Sequence, residues 1–348
     1  MLKNKLMIGS VLSAALIATT PMASAADNYT VEGNQIYHED FNDLDTSQWE
    51  VYDRDHDDEY YGAYTDEAAH VDDGVLTISS RRHCVSDGQK RDDSNASEKP
   101  CPEGTQTQYS TGRVEHPAAF STSKSFRIDM RAKLNLNGKK HNQPALWIKN
   151  NDTSYCQKSD SEYVGEFDLF ENYGSPSHSN SAAISDCYTQ NQEGEGKSFT
   201  KGTYSKFPSG VINIADDNWH EWSMIYDKEN KTVEFLVDGK PVPQYKYWDT
   251  GKSTSGNMTK DLSKSGSKIK LDENHGLSDS EIDEMMSAPF DIILNDSIKR
   301  DNIDPQEDYP EQTFSIDDVS VETFDGQVYT DSSDKKEKVG NGSSLSSW

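Results

Sequence analysis

The feature that most constrains this chain is a succession of short runs in which apolar and polar residues alternate, separated by clusters of Asp, Asn, Gly and Ser. Ile36-Tyr37-His38-Glu39-Asp40-Phe41, Gly74-Val75-Leu76-Thr77-Ile78-Ser79 and Phe126-Arg127-Ile128-Asp129-Met130-Arg131-Ala132 are such runs. Others are Trp219 to Tyr226, Thr232 to Val237, Phe290 to Leu294 and Phe314 to Val321. Successive side chains of a strand point to opposite faces, so each run can bury one face and wet the other. Asp238-Gly239, directly after Val237, is a strong hairpin signal. Strand follows strand with little helix between, which predicts an all-β antiparallel sandwich or jelly roll.

Three polar stretches interrupt the runs. Ser86 to Thr107 reads as a long surface loop. Thr250 to Ser287 reads as an insertion with one helix, where Ser278 and Glu281 form a capping box ahead of Ile282 and Met285-Met286. Residues 326–348, Ser-, Lys- and Gly-rich from Asp331, read as a disordered tail. With no internal repeat and no second core in view, residues 26–325 are expected to form one domain.

Residues 1–25 have the pattern of an export signal: Lys3 and Lys5, an apolar run from Met7 to Thr19, and the small-residue site Ala23-Ser24-Ala25. No later segment approaches the ~20 apolar residues that span a bilayer, so a secreted, monomeric protein with no membrane partner is expected. The net charge of −27 becomes −29 once Lys3 and Lys5 are removed, which argues against nucleic acid, since that partner rewards basic patches. The cysteines Cys84, Cys101, Cys156 and Cys187 allow three pairings, and export favours disulfides. Proximity favours Cys84 with Cys101 and Cys156 with Cys187; zinc lacks the C-x₂-C spacing and adjoining His it would need.

The chemistry concentrates in Gly165-Glu166-Phe167-Asp168-Leu169-Phe170-Glu171-Asn172. On a strand Glu166 and Asp168 share a face and Glu171 falls on the other. A one-residue bulge within Leu169-Phe170 would restore the phase and put all three acids on one surface. A solvated acidic face is the bland alternative. Against it, three like charges on one short face repel unless some are protonated, paired or used. Two carboxylates, one ionised and one protonated, are what retaining glycoside hydrolysis requires.

This stretch resembles the E-x-D-x-x-E signature of glycoside hydrolase family 16, in the bulged form of laminarinases, agarases and κ-carrageenases. Companions agree in order. Gln143-Pro144-Ala145-Leu146-Trp147 resembles the family's W-P-A-F-W strand, and Trp219-His220-Glu221-Trp222 with Val237-Asp238-Gly239 resembles its F-H-x-Y…V-D-G hairpin. Ala288 to Asn295 resembles its P-x-x-I-I-L-N strand, and Ile316-Asp317-Asp318-Val319 its closing V-D-Y-V. The resemblance covers about residues 31 to 323 and implies a β-jelly roll of two curved sheets with a concave cleft. It further implies Glu166 as nucleophile, Glu171 as general acid/base and Asp168 as an assisting acid. The carboxyl groups of Glu166 and Glu171 should then lie roughly 5–5.5 Å apart, and Glu171 needs a raised pKa.

Sugar faces stack on aromatics and sugar hydroxyls need fixed polar partners. Trp147, Gln143, Tyr64 and Asn172 are accordingly the expected substrate contacts, with Tyr60 and Tyr61 a possible wall. No cofactor is expected in catalysis. Asp53, Asp55 and Asp57 are not an EF-hand, because Asp58 and Tyr64 stand where Gly and Glu are required. Asp317 and the carbonyl of Gly74 match the positions of a structural Ca²⁺ that the resemblance implies. The chain departs from the pattern at Gln143, which replaces a Trp, and at Asp296-Ser297-Ile298-Lys299, which replaces Gly-Gly-Trp. Both lie where subsites are built. The expected substrate is an extracellular polysaccharide cut at internal bonds, β-1,3- or β-1,3-1,4-glucan first and agar or another galactan next. A transglycosylase or a non-catalytic lectin are the alternatives, and the presence of all three acids counts against the lectin.

Overall fold

The alternation is met residue by residue in the strand Ser125–Asn135. Phe126, Ile128, Met130, Ala132 and Leu134 are at most 2% exposed, while Arg127, Asp129, Arg131 and Lys133 carry the other face. Burying one such side chain contributes roughly 1.5–3 kcal/mol, so a polar residue at Ile128 would remove a large share of a marginal stability.

The computed structural model describes residues 33–53, 62–135, 142–150, 161–172, 180–190, 196–197, 200–206, 216–241, 244–248, 259–261, 268–271, 279–298 and 303–325. At 161–164, 180–190, 196–197, 200–206, 244–248, 259–261, 269 and 281 only the backbone is described. The proposed signal, Tyr60, Tyr61, Cys156, Ser278 and the tail at 326–348 lie outside the described residues, so the Cys156–Cys187 pairing and the N-cap of the helix do too.

The fold is a β-jelly-roll sandwich of two sheets with almost no helix. The first runs Lys240–Pro241, Thr232–Val237, Trp219–Asp227, Ser125–Asn135, Gln312–Phe324, Val75–Val85, Gln106–Thr111, Gly62–Tyr64. The second runs Thr259–Asp261, Gln244–Trp248, Thr200–Lys206, Asn180–Gln190, Ser161–Glu171, Ala145–Lys149, Phe290–Asn295, Arg113–Phe120, Glu50–Val51. Both are antiparallel with one correction to the expectation: Gly62–Tyr64 pairs in parallel with Gln106–Thr111 at the edge of the first sheet. The hairpin at Asp238-Gly239 is present, both residues at positive φ (50° and 69°), as a turn matching the strand twist requires.

Aromatic side chains lock the sheets together. Phe170 of the second sheet lies 4.6 Å from Trp222 and 6.1 Å from Phe314 of the first, centroid to centroid. Trp222 is 1% exposed, a packing residue. The expected helix is Asp279–Ser287, and its Ile282, Met285 and Met286 enter the core at helical spacing. Gly165 lets it come close: a Cβ there would stand 2.8 Å from Met285 Cγ. The loop after Val85 is tied down by the expected Cys84–Cys101 bridge, Cα to Cα 5.2 Å. Among the described residues no helix is long and apolar enough to cross a membrane.

Candidate active site

The strand Ser161–Glu171 lies inside the second sheet, between Ala145–Lys149 and Asn180–Gln190. Glu166 pairs with Lys149, Phe167 with Ile148 and Asp168 with Trp147, but Phe170 pairs with Leu146 and Glu171 with Ala145. One residue is therefore extra on the acidic strand, and the pairing with Asn180–Gln190 shifts in the same interval, between Asp168 and Glu171. Phe167, Leu169 and Phe170 all enter the core, at most 1% exposed. Two consecutive residues turned inward bring Glu171 back into phase with Glu166 and Asp168.

Crowding of the three acids shows in Asp168. Burial first, and then the charges of Glu166 and Glu171, push its carboxyl well above the usual aspartate range. It keeps its proton at a pH where an exposed aspartate has lost it. Glu166 and Glu171 are half-buried. Gln143, also half-buried, donates its Nε2–H to Glu171 Oε1.

Trp147, on the strand beside Asp168, is held edge and face. Its Nε1–H donates to Asn295 Oδ1 at 2.7 Å. The Arg113 guanidinium lies 5.3 Å from its ring and Lys149 Nζ 5.6 Å. Arg113 is also 4.8 Å from the Tyr52 ring, so it fills the gap between two aromatics. Glu115 accepts from Arg113 at 2.6 Å and from the Tyr52 hydroxyl at 2.9 Å. Burial works to raise the Glu115 pKa, but Arg113 outweighs it and holds the carboxylate ionised.

Two expected contacts are corrected. Tyr64 is 4% exposed with its hydroxyl 3.1 Å from Ser297 Oγ, and Asn172 is fully buried with its N–H on the Pro144 carbonyl at 3.0 Å. Both lie under the face instead of on it: the Tyr64 hydroxyl finds its partner in the buried Ser297 side chain, and the Asn172 backbone N–H at the strand end finds its own in Pro144. The sequence did not single out Arg113, Lys149 or Asn295, and marked Asp296 only as a departure from the family pattern. The alternation Arg113-Val114-Glu115, and polar residues closing the apolar run Phe290 to Leu294, were the available signals.

Asp317 lies on Gln312–Phe324 of the other sheet. One of its oxygens pairs with Arg131 and the other is buried without a partner. Gly74, at φ 76°, turns the chain beside the Asp40 carbonyl. The partnerless oxygen suits a cation, but Arg131 already supplies positive charge there. Among the described residues no group of three or more His, Cys, Asp or Glu is placed to hold a metal ion, so the residues fit a calcium ion only in part.

No family model matches the chain, and no curated protein does. Its fold defines it as a jelly-roll sandwich of the kind seen in several solved polysaccharide-degrading enzymes. It is similar to the laminarinase catalytic domain from Thermotoga maritima, at 21% identity and TM-score 0.53 over 84% of this chain and 99% of that one. It is also similar to an endo-β-1,3-glucanase from Pyrococcus furiosus, at 18% identity and TM-score 0.53 over 85% and 98%. A third is a Bacteroides ovatus mixed-linkage-glucan protein of glycoside hydrolase family 16, in complex with G4G4G3G product, at 16% identity and TM-score 0.50 over 82% and 99%. At such identities the likeness establishes the fold.

Proposed function

We propose that this protein is a secreted, endo-acting β-glycanase of glycoside hydrolase family 16 that cleaves a neutral β-glucan with retention. The observation that carries the reading is the one-residue register shift that sets Glu166, Asp168 and Glu171 on one face beside Trp147. Glu166 attacks the anomeric carbon while Glu171 gives its proton to the glycosidic oxygen, and the released chain end departs. Glu171, now a carboxylate, takes a proton from water, and the water opens the glycosyl-enzyme. Asp168, whose pKa is raised by burial and by its two acidic neighbours, holds its proton longer than an exposed aspartate and, protonated, donates a hydrogen bond to the neighbouring carboxylate.

A neutral polymer is favoured over a sulfated one because the cations near Trp147 are compensated. Arg113 is paired with Glu115, and Lys149 adds to the lowering of Glu115 and opposes the burial that raises Asp291. The solved enzymes of similar fold act on β-1,3- and mixed-linkage glucans in their own names, which supports the same choice here. Export is supported by the leader pattern and by the Cys84–Cys101 bridge.

The test is incubation of the mature protein with laminarin, mixed-linkage glucan, agar, carrageenan and xylan, following reducing ends. Release of internal fragments from a β-glucan is expected. Binding without release from any polymer would sink the hydrolase reading in favour of a lectin. Proton NMR of the first-formed anomer decides retention.

A further inference from the structure

Next to Glu171 lies a buried polar network that the proposed chemistry has not used. Asp296, 2% exposed, follows directly on the strand Phe290–Asn295. Its Oδ2 accepts from Ser80 Oγ at 2.5 Å and from Asn142 Nδ2. Its backbone N–H donates to the Gly112 carbonyl at 3.0 Å, and its own carbonyl accepts from Thr111 Oγ1 at 3.0 Å. Asn142 Oδ1 accepts from the Tyr309 hydroxyl at 2.8 Å, so both ends of that amide are engaged and its orientation is set. Arg82 closes the network from behind, 5.6 Å from the Tyr109 ring and 5.7 Å from the Tyr309 ring. The next residue along, Gln143, exchanges backbone hydrogen bonds with Ser297 at 2.7 and 3.2 Å and delivers its side-chain N–H to Glu171.

We propose that Asp296 is a positioning residue for Glu171. By clamping Asn142 it fixes the Asn142-Gln143 step, and the Gln143 amide then holds Glu171 Oε1, so that the acid proton is carried on Oε2. The proposal rests on Glu171 being the acid/base. A carboxylic acid can carry its proton on either oxygen, and only one of the two can face the scissile bond. An N–H on Oε1 removes that ambiguity.

Stability alone does not account for Asp296. Its Oδ1 is buried without a partner, an arrangement that costs about 1–3 kcal/mol. Such costs persist where a group is put to use. Burial, outweighing the bonds from Ser80 and Asn142 and the weaker pull of the Ser297 and Gln143 backbone N–H groups, lifts its pKa to about 6. A proton taken up below that value settles on Oδ1, leaving Oδ2 to hold Ser80 and Asn142. The clamp therefore does not depend on the charge.

The experiment compares Asp296→Ala, Asp296→Asn and Glu171→Ala on laminarin and on a dinitrophenyl β-glucoside of laminaribiose, whose leaving group needs no proton. For Asp296→Ala, kcat/KM on laminarin should fall about 10²-fold, the cost of a misplaced catalytic group, while kcat/KM on the dinitrophenyl substrate, which reports formation of the glycosyl-enzyme alone, stays nearly unchanged. Asp296→Asn should restore most of the loss, because one amide oxygen can accept both bonds. Equal losses of kcat/KM on both substrates, or no loss, would overturn the proposal. Glu171→Ala must itself show the leaving-group dependence; if it does not, the acid/base reading fails first. Independently of turnover, the ¹³C titration of the Glu171 carboxyl should move to higher pH in Asp296→Ala, since a donor that favours the carboxylate is lost. An unmoved midpoint overturns the proposal whatever the substrate. Should Asp296→Ala not fold, Gln143→Leu must give the same titration shift and the same substrate split.

Discussion

The two sheets treat most of their acids differently, with the Arg113–Glu115 pair on the second and the burial-raised pKa of Glu221 on the first as exceptions. On the first, carboxylates come with cations: Arg127, 7% exposed, meets Asp129 at 2.7 Å and Glu221 at 3.0 Å, and His220 lies between Asp216 at 3.2 Å and Asp238 at 2.9 Å. Burial pushes Asp238 up, but the bond from His220 outweighs it and the net shift is downward. On the second sheet Asp168 and Asp296 are buried among polar and acidic groups, and both pKa values rise. Paired acids of the first kind brace strands. Acids of the second kind weaken the folded state near neutral pH, and such a cost is carried where the group is put to use beside a reacting one.

The largest effect should come from breaking the second group. Glu166→Ala should lower turnover at least ~10⁴-fold, as loss of a covalent nucleophile does, while the melting temperature stays level or rises because a like charge has gone. Full activity in this variant would refute the nucleophile assignment. Asp168→Asn sharpens the contrast through pH. A carboxyl whose folded pKa is raised contributes stability that is fully present below its unfolded value, about 3.9, and is lost as pH rises through the folded one. The asparagine variant should therefore gain on wild type as pH rises above 4, at a slope approaching ~1.4 kcal/mol per pH unit while only the unfolded chain ionises. Urea denaturation at a series of pH values measures it; a gap that does not vary with pH would mean Asp168 is ionised in the fold.

On the first sheet the expected effect is on stability without catalysis. Arg127→Met leaves Asp129 and Glu221 without their cation and should cost about 3 kcal/mol, with kcat unchanged. Loss of activity at full stability would show that the two sheets are not divided in this way.

Strand identity was legible because a period of two survives in Phe126 to Leu134, and the shift at Leu169-Phe170 was legible because Glu171 is out of phase. Cys84 with Cys101 followed from proximity. Depth was not legible. Tyr64 and Asn172 look like surface residues in a polar context, yet both are buried by contacts with residues far along the chain, Ser297 and Pro144. The same holds for Arg113, whose place between Tyr52 and Trp147 depends on strands that meet only in the folded sheet. Asp296 stood out as a departure from the family pattern, but its partners Ser80 and Asn142 come from two other elements.

The smallest effect, and the finest test of the contrast, is at His220. Its hydrogen bond to Asp238 raises its pKa, with Asp216 adding to the effect. A histidine raised in the fold contributes stability that is fully present below its unfolded value, near 6.5, and is lost as pH rises through the folded value. Asp216 and Asp238, both lowered, lose theirs in the opposite direction, as pH falls through their own folded values. His220→Gln should therefore be less stable than wild type by about 1 kcal/mol between those limits, with the gap closing on both the acid and the alkaline side. The acid strand predicts a different curve, a cost that only grows as pH rises. Thermal unfolding of His220→Gln and Asp168→Asn across one pH series would place the two curves side by side, and curves of the same shape would erase the distinction between a bracing acid and a working one.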